Sequence, residues 1–138
     1  MKWKAEQARE RFAASRVARL ATTDAAGRPH IVPVTFASYG DTIAIAVDSK
    51  PKSTRNLKRL RNISENPHVS LLADEYSDEW EHLWWARADG EAHVEQEGAP
   101  WSEARERLVS KYPQYGENPP DAAIILVTVT HWSGWSFR

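Results

Sequence analysis

The residues best suited to hold a charged ligand lie in one short stretch, Ser49-Lys50-Pro51-Lys52-Ser53-Thr54-Arg55-Asn56-Leu57. It follows a strand-like run and enters a helix-like one. Helix N-termini present free backbone N–H groups and partial positive charge. Lys50, Lys52 and Arg55 add full charges, and Ser53 and Thr54 add hydroxyl donors. Together they suit a phosphate or a polycarboxylate. A solvated basic helix face accounts for the same residues without a ligand. A second candidate is Pro29-His30-Ile31-Val32-Pro33-Val34-Thr35-Phe36. Pro33 removes a ladder donor, so it marks a strand edge or bulge where backbone can face a flat ligand. An edge proline also simply guards against aggregation. A third is the aromatic group Trp80, Trp84 and Trp85 beside His82. Tryptophan offers a broad flat face and one N–H donor. Neighbours in a strand face opposite sides, so Trp84 and Trp85 divide between core and surface.

The remaining chemistry is bounded by what is missing. There is no cysteine, which removes disulfides, thiolate metal sites and a cysteine nucleophile. The five histidines, at 30, 68, 82, 93 and 131, show no metal-ligand spacing, so no metal is expected. Phosphate-loop, dinucleotide-fingerprint and serine-hydrolase motifs are also absent from the sequence. No catalytic side chain can be named from the sequence.

The elements that must position these residues read as follows. With 138 residues the chain suits one domain, 1–138. Residues 5–15 predict an amphipathic helix, with Ala5, Ala8 and Phe12 on one face. Strands are expected over 17–23, 29–38 and 42–48, joined by turns at Gly27 and Gly40 and forming a meander. A helix runs from Ser53 and Thr54 to Asn66-Pro67. Strands follow over 68–73, 83–88 and 91–95, the last two flanking Asp89-Gly90, which signals a hairpin turn. Pro100 opens a helix that runs to Lys111, residues 112–120 form a loop, and 122–130 is a strand. Residues 131–138 suit a short closing strand. The fold class is mainly β (α+β): a small barrel or rolled sheet of six to seven antiparallel strands with about three peripheral helices.

Charge is blocky although its sum is −1: residues 50–61 hold six of the 18 Lys and Arg, and residues 74–81 hold five acids. That sum draws the chain to neither nucleic acid nor membrane, so neither is an expected partner. No stretch is apolar enough to span a bilayer, residues 1–14 lack a signal peptide's apolar run, and the lack of cysteine fits a cytoplasmic location.

The order of motifs resembles a known family. It runs from residues 17–24 through Gly27-Arg28-Pro29-His30 and Val32-Pro33-Val34, then Lys50 to Leu57, Asn66-Pro67-His68, and Leu83-Trp84-Trp85-Ala86-Arg87-Ala88-Asp89-Gly90. This is similar to the pyridoxamine 5'-phosphate oxidase-like superfamily of FMN-binding split β-barrels. The last segment, with Asp78-Glu79-Trp80 before it, resembles a branch that uses the deazaflavin coenzyme F420. The resemblance implies a homodimer with cofactor sites at the subunit interface and a small-molecule substrate. Lys50, Lys52, Ser53, Thr54, Arg55 and Asn56 would hold the cofactor's phosphate and tail. Pro33, Val34, Thr35 and Phe36 would lie along its ring, and Trp80, Trp84 and Trp85 would close the pocket. Some relatives carry lysine where Ser53 stands. The implied activity is F420-dependent hydride transfer. The alternatives are an FMN-binding enzyme of pyridoxamine-phosphate-oxidase type and a non-catalytic cofactor binder on the same fold.

Overall fold

A computed structural model describes residues 1–47 and 54–138, with side chains for all of these except 54–57. The expected mainly-β fold is found. The described chain runs α1 (Ala5–Ala13), β1 (Ala18–Thr23), β2 (Pro29–Val34), β3 (Ala37–Tyr39), β4 (Thr42–Ala46), α2 (Thr54–Glu65), β5 (His68–Glu75), a 3-10 turn (Trp80–His82), β6 (Trp84–Glu95), α3 (Ala99–Lys111), α4 (Pro113–Glu117) and β7 (Ile124–Ser136). The described strands form one seven-stranded sheet in the order β2-β1-β5-β6-β7-β4-β3, with every pairing antiparallel.

The sheet curls because its two edges are joined almost directly. β2 and β3 are the edge strands, yet only Thr35 and Phe36 separate them in sequence. Three residue steps span at most about 11 Å. The sheet must therefore bring its ends together, and the faces turned inward share one core. That core takes Leu20 from β1, Leu71 from β5, Ile125 and Val127 from β7, and Ile43 and Ile45 from β4. Helix α1 plugs it with Ala8 and Phe12, and the Phe12 ring lies 4.8 Å from Phe36 and 5.5 Å from Trp132. A second core sits outside the sheet, where Ala104, Leu108 and Tyr112 cover Ala37, Ala44, Ile124 and Leu126.

Three expectations are corrected. The meander is broken: the run 29–38 splits at Thr35, and its halves lie on opposite edges of the sheet. Asp89-Gly90 is no hairpin. β6, 12 residues long, runs straight through it, and its residues Trp84 to Glu91 pair without interruption with β5. Gly90 instead serves a β-bulge, where Asp89 faces His131 and Gly90 faces Val129, leaving Thr130 as the extra residue of β7. A Cβ on Gly90 would stand 2.2 Å from the Thr128 carbonyl oxygen, so only glycine allows the strands to approach. The third correction concerns residues 113–117, expected in a loop but helical as α4, with Pro113 in its first turn. Proline is tolerated there because the N–H it lacks would have no partner.

Other features follow the sequence reading. Pro33 does lie in an edge strand. The turn after β1 is built by Asp24, whose Oδ1 accepts the Ala26 and Arg28 N–H groups at 2.9 Å each, with Gly27 at φ 79°. Pro100 opens α3. The strand expected over 122–130 and the tail expected to close the barrel are one 13-residue strand, β7. Among the described residues no helix is long and apolar enough to cross a membrane.

Gly90→Ala should destabilise the protein by about 3 kcal/mol, the cost of forcing a methyl group into a closed strand contact. Urea unfolding of the variant beside the wild type measures it, and a loss under about 1 kcal/mol would mean the bulge opens freely.

Candidate functional site

A cavity with a volume near 910 Å³ opens at the seam where the sheet's edges meet. One wall is the exit of β2, Pro33, Val34 and Thr35; a second is the end of β4, Ile45 to Val47. Arg59 of α2 lines it, and so do Arg105 of α3, Gln114 and Tyr115 of α4, and the loop that follows α4. The cleft thus gathers an edge strand, two arginines, the Asp121 carboxylate and a small amide-and-hydroxyl surface.

Each wall has a physical cause. Beyond Val34 the chain leaves the sheet, and Phe36 turns inward as an anchor. Its N–H is accepted by the Tyr112 hydroxyl at 3.1 Å, and that hydroxyl donates to the Arg16 carbonyl at 2.8 Å. Lys111 lies over the Phe36 ring at 3.8 Å. Thr35, immediately before, shares a 3.0 Å hydrogen bond with the Tyr115 hydroxyl. The loop after α4 is tied back to α3: Arg105 Nε donates to the Pro120 carbonyl and Trp101 Nε1 to the Ala122 carbonyl, each at 2.8 Å. These bonds hold the Arg105 guanidinium in the wall of the cleft. Among the described residues it has no carboxylate within salt-bridge distance. Burial in the other wall pushes the Arg59 guanidinium below its ordinary pKa.

The site residues expected from the sequence distribute unevenly. Pro33, Val34 and Thr35 line the cleft, whereas Phe36 is buried in the core beside it. Lys50, Lys52 and Ser53 lie outside the described residues. Thr54, Arg55 and Asn56 form the first turn of α2. Arg59, one helical turn after position 55, reaches the cavity. The three tryptophans are not brought to this cleft within one chain. Trp84 packs on Trp3, their ring centres 5.9 Å apart, beneath the Arg11 guanidinium at 3.9 Å, and donates to Glu75. Trp85 points from the opposite face, near Arg87. Trp80 is 59% exposed in the acidic segment. The sequence reading missed Arg105, Gln114 and Tyr115. Arg105 sits among ordinary helix formers, and Tyr115 fell in a segment expected to be a loop.

Comparison with known proteins places this architecture. Residues 5–136 match the family model of pyridoxamine 5'-phosphate oxidase. The chain belongs to that family. No curated protein matches it. Among solved structures, the family member is similar to an FAD-binding protein from Mycobacterium smegmatis, with 20% identity, TM-score 0.69 and all of both chains covered. It is similar to an FAD-binding protein from Mesorhizobium loti at 20% identity and TM-score 0.76, covering 97% of this chain and 95% of the other. A conserved hypothetical protein from Mycobacterium tuberculosis matches at 19% identity and TM-score 0.76, covering 99% and 86%. At these identities the likeness is one of fold.

Lys111 supplies a pH handle beside the site. Burial first, and Arg16 second, lower its pKa to about 8, although Nζ donates to the Ser15 carbonyl at 2.6 Å. The unfolded lysine keeps its proton to about 10.4. Between those values the unfolded state binds more protons, so this group's contribution to stability rises with pH. From pH 8 to 10 the stability of the wild type should therefore climb more steeply than that of Lys111→Met, as read from urea unfolding at each pH. Parallel slopes would place the Lys111 pKa near its ordinary value.

Proposed function

We propose that this family member is an oxidoreductase that binds a flavin or deazaflavin in the seam cleft, with coenzyme F420 as the leading ligand and a small organic molecule as substrate. The observation that carries the reading is the cleft itself. An edge strand able to back a flat ring and an oriented Arg105, with no carboxylate within salt-bridge distance among the described residues, face one space. The donor set fits a planar group with an anionic tail: guanidinium donors for phosphate or carboxylate, apolar Pro33 and Val34 for the ring. Arg59 of α2, in another wall of the cleft, gives the same polarity. When bound, either ring carries a hydride to or from a substrate. The chain's own residues bind the tail, orient the ring against β2 and exclude water at the seam. The resemblance of the segment from Leu83 to Gly90 to an F420-using branch favours the deazaflavin.

A second reading, an FAD- or FMN-binding enzyme, is favoured by the two structural neighbours described as FAD-binding. A non-catalytic binder on this fold remains distinct from both, because fold does not fix activity.

The proposed assembly is a homodimer with the cleft near its interface. The outer face of β1, β5 and β6 supports it. Half-buried Leu72 and Trp85 lie there among Arg19–Asp74 and Arg87–Asp89 ion pairs, and no described helix covers them. Nearby on β2, Ile31 is 67% exposed. A second copy would bury this face and could present its own Trp80 to the cleft.

Titration of the purified protein with F420, FMN and FAD tests the proposal. Saturable binding is expected, tightest for F420, and Arg105→Ala should weaken it about ten-fold or more, the scale of one charge-assisted contact. Tight FMN or FAD binding without F420 binding selects the second reading. Binding without turnover across electron acceptors selects the non-catalytic one. Failure of all three ligands to bind rejects the proposal.

A further inference from the structure

The Thr35–Tyr115 contact leaves a donor unaccounted for. Two hydroxyls carry two protons and four lone pairs. One proton lies in the 3.0 Å bond between Thr35 Oγ1 and Tyr115 Oη. Among the described residues neither hydroxyl has another partner. The nearby Tyr112 hydroxyl differs, for its proton has the Arg16 and Phe36 carbonyls as acceptors, at 2.8 and 3.1 Å. Both Thr35 and Tyr115 line the cleft, Thr35 exposed and Tyr115 half-buried. The phenol is held in place: its ring meets Tyr112 edge-on, centroids 5.7 Å apart at 84°, and the Tyr115 N–H is bonded to the Tyr112 carbonyl. The pair therefore offers one oriented, neutral O–H donor at the wall that begins with Pro33.

We propose that Thr35 and Tyr115 act as one unit that reads a hydrogen-bond-accepting edge, a ring carbonyl or unprotonated ring nitrogen, on the planar ligand in the cleft. This deepens the proposed function and rests on it. A neutral donor suits a neutral acceptor. The guanidinium of Arg105, fixed in the α3 wall, suits the anionic end. Division of labour between the two gives the cleft a polarity, with ring against β2 and anion toward the arginines. The internal bond can reverse its direction, so either hydroxyl can be the one that donates outward. That makes the unit redundant in a way a simple clip is not.

Redundancy gives the test. Thr35→Val and Tyr115→Phe each leave one hydroxyl free to donate to the ligand, while the double variant leaves none. Dissociation constants for F420 and FMN are measured by fluorescence titration on wild type, both single variants and the double variant. Each single variant should weaken the bound cofactor by about three-fold or less. The double variant should weaken it by about thirty-fold, clearly more than the product of the singles, with the excess matching one lost hydrogen bond. A contact that merely clips α4 to β2 is broken equally by any of the three, so equal losses would overturn the proposal. So would a double variant that loses no more than the product of the singles, or variants that all bind like wild type. Circular dichroism and melting temperature confirm that each variant is folded, and Thr35→Ala replaces Thr35→Val should the valine disturb the seam. Failure of the wild type to bind either cofactor shows before any variant is made and removes the underlying reading, and this unit with it.

Discussion

A two-residue link constrains everything else in this molecule. β2 and β3 lie at opposite ends of a seven-stranded order, yet Thr35 and Phe36 alone connect them. A flat sheet would hold its edges many strand spacings apart, at about 4.8 Å each. The connection is therefore possible only if the sheet rolls until its ends almost meet. Rolling creates the enclosed core, and the ends that approach without hydrogen bonding to each other leave a seam. The candidate site occupies that seam. Its backbone wall exists because the barrel stays unclosed there, and Pro33 helps keep it so by withholding a ladder donor.

Phe36 fixes the link in place. Its ring is buried against Phe12, and Lys111 lies over its other side. Its amide is satisfied by a tyrosine hydroxyl from the end of α3 rather than by a strand. A buried N–H without a partner costs about 1–3 kcal/mol, so Tyr112 removes a penalty that the break between β2 and β3 would otherwise impose. Arg16, which offers Tyr112 its carbonyl, also places its guanidinium over the Tyr112 ring at 4.7 Å. The exits of α1, β2 and α3 are thereby tied at one point, directly behind the cleft.

Much of this was legible in the residues, and the exceptions share a cause. Alternating apolar positions gave β4, and Pro33 identified its strand as an edge, because those signals depend on local periodicity and backbone chemistry. Asp89-Gly90 has the composition of a hairpin turn, but tertiary contact decides its role: the Thr128 backbone of β7 closes on Gly90, and the Thr130 hydroxyl, 41 residues from Asp89, donates to the Asp89 carbonyl beside the bulge. Pro113 and Gly116 suggest a loop, yet a five-residue helix tolerates both when proline sits in its first turn and packing holds the rest. The basic cluster before α2 was readable in the residues, but Lys50, Lys52 and Ser53 lie outside the described residues, and it is Arg59, within α2, that lines the cleft. Arg105 was not readable, since its meaning arises only when the Pro120 carbonyl turns it toward the seam. Of the tryptophans, the opposite facing of Trp84 and Trp85 followed from strand alternation alone, whereas the partnership of Trp84 with Trp3 joins residues far apart in sequence.

The second core explains why the site can be precise although it lies at a break in the sheet. α3 buries Ala104 and Leu108 against β4 and β7, and the next residues along it are those that meet the seam: Arg105 on the cleft side, then Lys111 and Tyr112 behind Phe36. α4 follows after a single turn of chain direction and brings Tyr115 to Thr35. One helix thus carries a packing face that is hard to shift and, on its flank, the groups that define the cavity. Interiors packed at crystal density transmit displacement rather than absorb it. A change in the packing of Leu108 therefore reaches the cleft wall through the helix itself. The seam has no ladder of its own to hold it, and its geometry is set instead by the apolar contacts of α3.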